Sequence, residues 1–510
     1  MKMEYKHRSW WPLYILYTLL AFCVLRFGIA ATSYSMHWRP DYDTNIYFLI
    51  GRGWVESVLP YVQLSDLKGP FVFLQCGLGS MLSPDSFLGV CILQAPLIGL
   101  GVLYACKSAA LFVGRSLGMV VSGFLFVYLW YFGVHPSATV LTLQYISLYH
   151  VLDSMMKGES LGRWPVYAMG VFVGIVLLIK FNLVAFWVPM GLYALWGREW
   201  RRNACLLLAG VSTVLLPAGA GMAWAGMLEA CWQEYILVAV RYGGTGAGHS
   251  ALLQCNWELL AEMLPKHFQK VDVPIVQAVC GGLQLFVWLV LPRLVRIARV
   301  RSYYAVLGGC FLLCLVAIFG GQYHYEHYYY SFLPFVLLSL VAGVGVLRRL
   351  RCTPKAPLVR AAGVLLPVLL TIFTMAHALY TQARRAHNGS GAICHSSQSL
   401  VKLLQGSSFI CVEPYSCLHF YRLTGTIPPI RHFIPQMIPN GTRKHRQEVL
   451  NCLQNHHVRF VVCTIEHKEN TEALIVESGL PYARVPLNPP DFPPCLPVTD
   501  QSLFCLYERR

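Results

Sequence analysis

The feature that most restricts this chain is a recurrence of apolar runs at membrane-spanning length, with arginine and lysine gathered in the gaps between them. A helix crossing hydrocarbon needs roughly 18 to 25 apolar residues. Candidate spans fall at 11–33, 86–106, 115–133, 137–156, 164–180, 182–197, 203–225, 274–294, 303–320, 329–347 and 358–380, eleven in all. Inside a bilayer each backbone amide must be satisfied within its own segment, so such runs fold as helices. Of the 510 residues only 13% are charged and 56% are hydrophobic, whereas soluble domains carry about 25% charged residues. The sequence therefore predicts an α-helical polytopic membrane protein.

Charge sets its orientation. With the N-terminus inside, Lys107 and Arg115, Lys157 and Arg163, Arg198, Arg201 and Arg202, the run from Arg293 to Arg301, and Arg348, Arg349, Arg351 and Lys355 all fall on the cytoplasmic side. That is the positive-inside pattern. It accounts for the net charge of +16 without nucleic acid, because the basic residues form short clusters between spans rather than one basic face. The first apolar run follows Lys2, Lys6 and Arg8 and is longer than a signal-peptide core, so it is expected to remain as the first helix. The 18 cysteines are scattered mostly singly along apolar runs, where they act as small hydrophobes, and none shows zinc spacing.

The opposite face receives a first loop, 34–85, a second large loop, 227–273, and everything after 381. The first loop holds Asp41, Asp43, Glu56 and Asp66, four of the chain's 24 acidic residues. Carboxylates at a bilayer boundary are costly unless they are solvated or in use, which makes this loop the candidate active site. Within it, 43–57 predicts a short interfacial helix with Asp43 or Thr44 as its N-cap. Residues 71–84 are apolar but too short to span, and predict a helix lying in the interface. In the second loop the glycine run 243–248 lacks the Gly-Lys-Ser/Thr ending of a phosphate loop. Residues 1–381 thus form a transmembrane part. Residues 382–510 are of soluble character, with strands expected at 409–412, 459–465 and 503–507 and helices at 443–455 and 471–478. The expectation is a small α/β domain on the extracytoplasmic side. It contains seven cysteines; outside the cytoplasm some could pair, and the odd count leaves at least one thiol over.

Several motifs in order resemble a known family. They are Asp43-x-x-x-Tyr47, then Leu59-Pro60-Tyr61, then Asp66-Leu67-Lys68-Gly69-Pro70, all between a first helix and an interfacial helix. Gly170-x-x-x-Gly174 with Lys180, His327-Tyr328-Tyr329-Tyr330-x-x-x-Pro334, and Leu418 to Gly425 followed by Pro428-Pro429-Ile430-Arg431 continue the series. Together they resemble GT-C glycosyltransferases of the protein O-mannosyltransferase-like clan (family 39-like), which includes the lipid A aminoarabinose transferases. The resemblance implies GT-C architecture and an inverting hexosyl or pentosyl transfer from a polyprenyl phosphate-sugar to a glycolipid, glycan or protein of the cell envelope. It implies a multi-pass protein of the cell membrane, with the lipid bilayer, the donor and the acceptor as partners. It requires no cofactor, and a divalent metal stays open.

That reaction needs a base, a cationic cradle for phosphate and a groove for the isoprenoid. Asp43 fits the base and Asp41, two residues earlier, is its rival. Lys68 fits the cradle, with Arg52, Arg241 and Lys180 as further cations. Tyr47, Tyr61, Asp66, Gln144, His324, Glu326, His327 and Tyr328 are the candidate substrate contacts. Bland readings stand beside these. Asp43 also suits a helix cap, Asp66 a turn brace paired with Lys68, Lys68 an interface anchor, and Lys180 a helix end. His324, Glu326 and His327 sit among tyrosines that suit an aromatic belt or, less simply, a metal site. Some relatives carry a second acidic residue where this chain has Gln144, and an amide hydrogen-bonds but takes up no proton usefully. A different class also fits the composition, a transporter or flippase of lipid-linked glycans without bond chemistry. No internal repeat supports that alternative.

Overall fold

The computed structural model describes residues 9–27, 42–123, 136–238, 240, 287–294, 297–319, 331–349, 398, 400–412, 414–434, 441–455, 457–485 and 504–510. Their contacts group the chain into two compact units: Met1–Leu25 with Gln94–Ala218 and Gly243–Thr374, and Arg26–Leu93 with Gly219–Tyr242 and Met375–Arg510.

The first unit is helical. Its longer described helices are most of α1 (Trp11–Phe27), most of α4 (Leu88–Val113), α5 (Arg115–Gly123), α6 (Pro136–Lys157), α7 (Arg163–Leu177), α8 (Trp187–Leu195), most of α9 (Trp200–Trp224), α10 (Val300–Phe319) and α11 (Leu333–Arg349). Among the described residues three helices, Leu88–Val113, Trp200–Trp224 and Val300–Ala317, are long and apolar enough to cross a membrane unaided, and shorter apolar helices accompany them. The span expected at 182–197 is a 3-10 turn, Phe181–Phe186, running into α8. The span expected at 358–380 lies outside the described residues.

Small residues and buried hydroxyls explain how apolar helices pack without a hydrophobic drive between them. A Cβ on Gly170 would stand 2.2 Å from the carbonyl oxygen of Leu207, and one on Gly210 would stand 2.3 Å from that of Tyr167. The glycines of the Gly170-x-x-x-Gly174 motif are therefore the α7–α9 crossing. Along α6, Thr142 donates to the Leu97 carbonyl at 2.9 Å, and Ser147 accepts from the Trp187 indole at 2.9 Å.

The second unit contains α2 (Tyr42–Val55), α3 (Pro70–Leu82), the segment Leu228–Cys231 continuing into a π-helical turn Trp232–Leu237, and the C-terminal α/β part. Helix α3 opens with Pro70 at its first position, where a missing N–H is harmless. Helix α2 begins at Tyr42, so Asp43 lies in its first turn and is not its cap. That placement suits a carboxylate beside the positive helix end.

The C-terminal part carries one four-stranded sheet in the order β1-β2-β4-β3, from β1 (Phe409–Cys411), β2 (Phe460–Thr464), β3 (Tyr482–Val485) and β4 (Phe504–Arg509). β1 runs parallel to β2, and β4 is antiparallel to both β2 and β3. The parallel pair requires a crossover, and that crossover contains α12 (Pro414–Thr424) and α13 (Gly441–Asn455). α14 (Lys468–Ser478) ends on Gly479 in the left-handed region, φ 70°. The three expected strands lie at their predicted places. β3 and α12 were not expected. β3 is an edge strand of sequence Tyr-Ala-Arg-Val with no buried residue, so it lacks the apolar signature of a core strand. The cysteines described here, at 411, 417, 452, 463 and 505, are buried free thiols.

Candidate functional site

The acidic loop of the sequence folds into a stiff hairpin of helices. α2 and α3 cross backbone to backbone: a Cβ on Gly51 would lie 2.3 Å from the Phe73 carbonyl oxygen and 2.5 Å from the Gly77 nitrogen. This close crossing aligns the start of α2 with the loop before α3. One helical turn apart on α2, Tyr47 donates its phenol to Asp43 Oδ2 at 3.0 Å. The Lys68 ammonium stands 5.5 Å from the centre of the Tyr47 ring, within cation–π range. Asp43, Tyr47 and Lys68 thus form one constellation of base-type, hydroxyl and cation.

The loop behind them is tightly held. Tyr61 is fully buried, with φ 63°, a left-handed conformation rare for a bulky residue. Its N–H donates to the Leu64 carbonyl at 2.6 Å, and its phenol donates to the Lys68 carbonyl at 2.6 Å. Asp66 is 3% exposed, and its Oδ2 accepts the Lys68 N–H at 3.3 Å. Its Oδ1 is buried without a hydrogen-bond partner. Burial pushes the Asp66 carboxyl above its usual range and Asp43 pushes it further; Lys68 and the backbone N–H groups of Leu67 and Lys68 oppose the shift without cancelling it.

Arg52 has a structural task. Its guanidinium donates to Glu56 at 2.7 Å, to the Gly425 carbonyl at 2.7 Å and to the Pro84 carbonyl at 3.4 Å. Lys180 and Gln144 belong to the first unit. Lys180 precedes the 3-10 turn at its N-cap. Gln144 is 1% exposed, and neither polar atom of its amide has a partner, a state that asks for an explanation in a native protein. Asp41, Arg241, His324, Glu326, His327 and Tyr328 lie outside the described residues. Among the described residues no group of three or more His, Cys, Asp or Glu could hold a metal ion.

Two clusters escaped the sequence reading. Arg422 is completely buried; its Nε donates to Asn45 Oδ1 at 2.9 Å, another guanidinium nitrogen donates to the Asp85 carbonyl at 2.8 Å, and the group lies 4.5 Å above the Phe87 ring. It ties α12 to α2 and to the turn after α3. The second cluster joins Glu234, on the π-helical turn, to Arg431 at 2.8 Å and to His432, which also bonds Glu448. The Ser65 N–H donates to the Arg431 carbonyl at 3.0 Å, bringing the cluster against the loop that bears Lys68. No local pattern in the sequence links these residues, since their partners are up to 377 positions apart.

No protein-family model matches this sequence, and no curated protein does. Among solved structures the chain is similar to ArnT from Cupriavidus metallidurans bound to undecaprenyl phosphate, with TM-score 0.61 and 13% identity over 98% of this chain and 97% of that one. ArnT from the same organism in the apo state gives a TM-score of 0.59 with the same identity and coverage. The Archaeoglobus fulgidus oligosaccharyltransferase in its apo form, at TM-score 0.44 and 12% identity over 93% of this chain and 72% of that one, is too distant to carry an argument. At these identities the likeness is one of fold. The chain has the polytopic helical architecture of ArnT together with a small α/β part.

Proposed function

We propose that this chain is a membrane glycosyltransferase, moving a hexosyl or pentosyl group from a polyprenyl phosphate carrier to an envelope glycolipid, glycan or protein on the extracytoplasmic face. The observation that carries this reading is the Asp43–Tyr47–Lys68 constellation, set in a fold shared with a protein crystallised with undecaprenyl phosphate. Asp43 is the base. The acceptor proton passes to its carboxylate while the acceptor oxygen bonds the anomeric carbon. The bond from that carbon to the phosphate oxygen breaks with inversion, and the lipid phosphate departs as an anion. The Tyr47 phenol fixes the orientation of the carboxylate. The Lys68 ammonium neutralises the departing phosphate, so that no proton need be delivered to it.

Residues 1–381 form the membrane part in this reading, and 382–510 form a soluble part on the outer side. Gln144 is a proposed substrate contact, because a buried amide with no protein partner is suited to sugar or acceptor hydroxyls.

The deciding experiment pairs two assays on Asp43→Asn. A transferase loses about 10²–10⁴-fold in sugar transfer, the contribution of a positioned base, and still binds the polyprenyl phosphate-sugar. A flippase of lipid-linked glycans keeps translocating at nearly its original rate, and that result would discard the enzymatic reading.

A further inference from the structure

Lysine is a flexible, strongly hydrated point charge, and it places its ammonium reproducibly only if its backbone is fixed. In this chain the Lys68 backbone is held on both sides. Its N–H is accepted by Asp66 Oδ2 at 3.3 Å, and its carbonyl accepts the Tyr61 phenol at 2.6 Å. Pro70 and the extended Gly69, with φ −71° and ψ 157°, fix the exit into α3.

The residues doing the holding are themselves immobilised. Tyr61 is fully buried in a left-handed backbone conformation, and its ring lies 5.6 Å from that of Phe73 on α3. Such a conformation persists in a bulky residue only where its surroundings over-determine it, and it clusters at ligand clamps. Asp66 is buried although one of its oxygens has no partner. A carboxylate kept in that state is costly to the fold, and its other oxygen, Oδ2, accepts the Lys68 backbone N–H. The next residue back, Ser65, is fastened through its N–H to the Arg431 carbonyl at 3.0 Å.

We infer that Tyr61 and Asp66 are positioning residues for the donor phosphate, clamping the Lys68 backbone from both sides so that its ammonium is presented ready-placed. This rests on the reading of Lys68 as the phosphate cradle. It adds two residues that touch no substrate and act through a third.

The test is a double-mutant cycle read as affinity for undecaprenyl phosphate by the purified full-length protein in nanodiscs, with thermal unfolding recorded for each variant. Tyr61→Phe keeps the ring and removes one buried hydrogen bond, so affinity falls about five- to tenfold with little change in unfolding temperature. In a Lys68→Met background the same substitution has no further effect, because the group it positions is gone. Equal losses from Tyr61→Phe in both backgrounds would overturn the clamp and leave the cradle standing. An unchanged affinity in Lys68→Met alone would instead sink the cradle reading itself. Should Tyr61→Phe fail to fold, the cycle is repeated at the other jaw. Asp66→Ala loses affinity only when Lys68 is present, and Asp66→Asn, which keeps an acceptor oxygen for the Lys68 N–H, recovers most of it. Equal affinity in Asp66→Ala and Asp66→Asn would refute the clamp.

Discussion

His432 is pressed between Glu234 and Glu448, and that placement makes the second unit sensitive to pH in both directions. Burial pushes the imidazole down, but the carboxylates of Glu234, 3.6 Å from Nε2, and of Glu448, bonded to Nδ1, outweigh it and leave His432 above its ordinary 6.5. Burial pushes Glu234 up, and bonds with His432, Arg431 and Ser65 reverse this, leaving the carboxyl below 4.5. Glu448 follows the same balance, with His432 as the chief opponent of burial. The stabilising contribution of His432 is therefore fully present below pH 6.5 and disappears as pH rises through its elevated folded value. The glutamates contribute above pH 4.5, and their share disappears as pH falls through their depressed values. Thermal unfolding followed from pH 4 to 9 is expected to peak between these limits, and His432→Gln is expected to flatten the alkaline limb. An unchanged alkaline limb in that variant would remove His432 from the account. Asp43 and Lys68 could be singled out from the sequence because their chemistry is local to one loop. The Glu234–His432–Glu448 group could not, because its members come from separate stretches of chain.

At the scale of elements, glycines decide which helices touch. Gly51 and Gly77 allow α2 and α3 to meet through their backbones, and a side chain at either position runs into main-chain atoms that cannot swing aside. Gly51→Ala is expected to cost about 1–3 kcal/mol, the range for overpacking a close contact. It is also expected to weaken donor binding, since the loop between these helices carries Lys68. Gly191 is the control. It lies inside α8, and a Cβ there meets nothing within 4 Å. Gly191→Ala is expected to be neutral or stabilising by up to about 1 kcal/mol. Denaturation midpoints of the two variants measured together check both signs, and a loss at Gly191 as large as that at Gly51 would contradict the packing argument. The two helices of the first loop were legible from length and apolar spacing. Their crossing was not, because a glycine in a sequence does not say whether it serves a turn, a flexible joint or a close approach.

At the scale of the whole molecule, the arrangement of basic residues predicts an N-terminus inside and the α/β part on the outer side. Val476 on α14 is 79% exposed and offers a handle. Val476→Cys is expected to react with a membrane-impermeant maleimide in intact cells, above the background of the native cysteines. Reaction only after the membrane is opened would invert the predicted topology and with it the face proposed for Asp43. The sequence alone determined the solvent of the fold. Apolar runs of spanning length and clustered arginines leave a chain no alternative to a bundle of membrane helices, since both the hydrophobic effect and backbone hydrogen bonding act segment by segment. It also determined the three strands of the sheet with buried apolar runs, β1, β2 and β4. Only the tertiary structure decided that Arg52 braces Gly425, that buried Arg422 meets Asn45, and that Tyr61 grips the Lys68 carbonyl. Each is a long polar side chain whose partner is chosen by three-dimensional proximity, and a spacing along the chain holds no record of that choice.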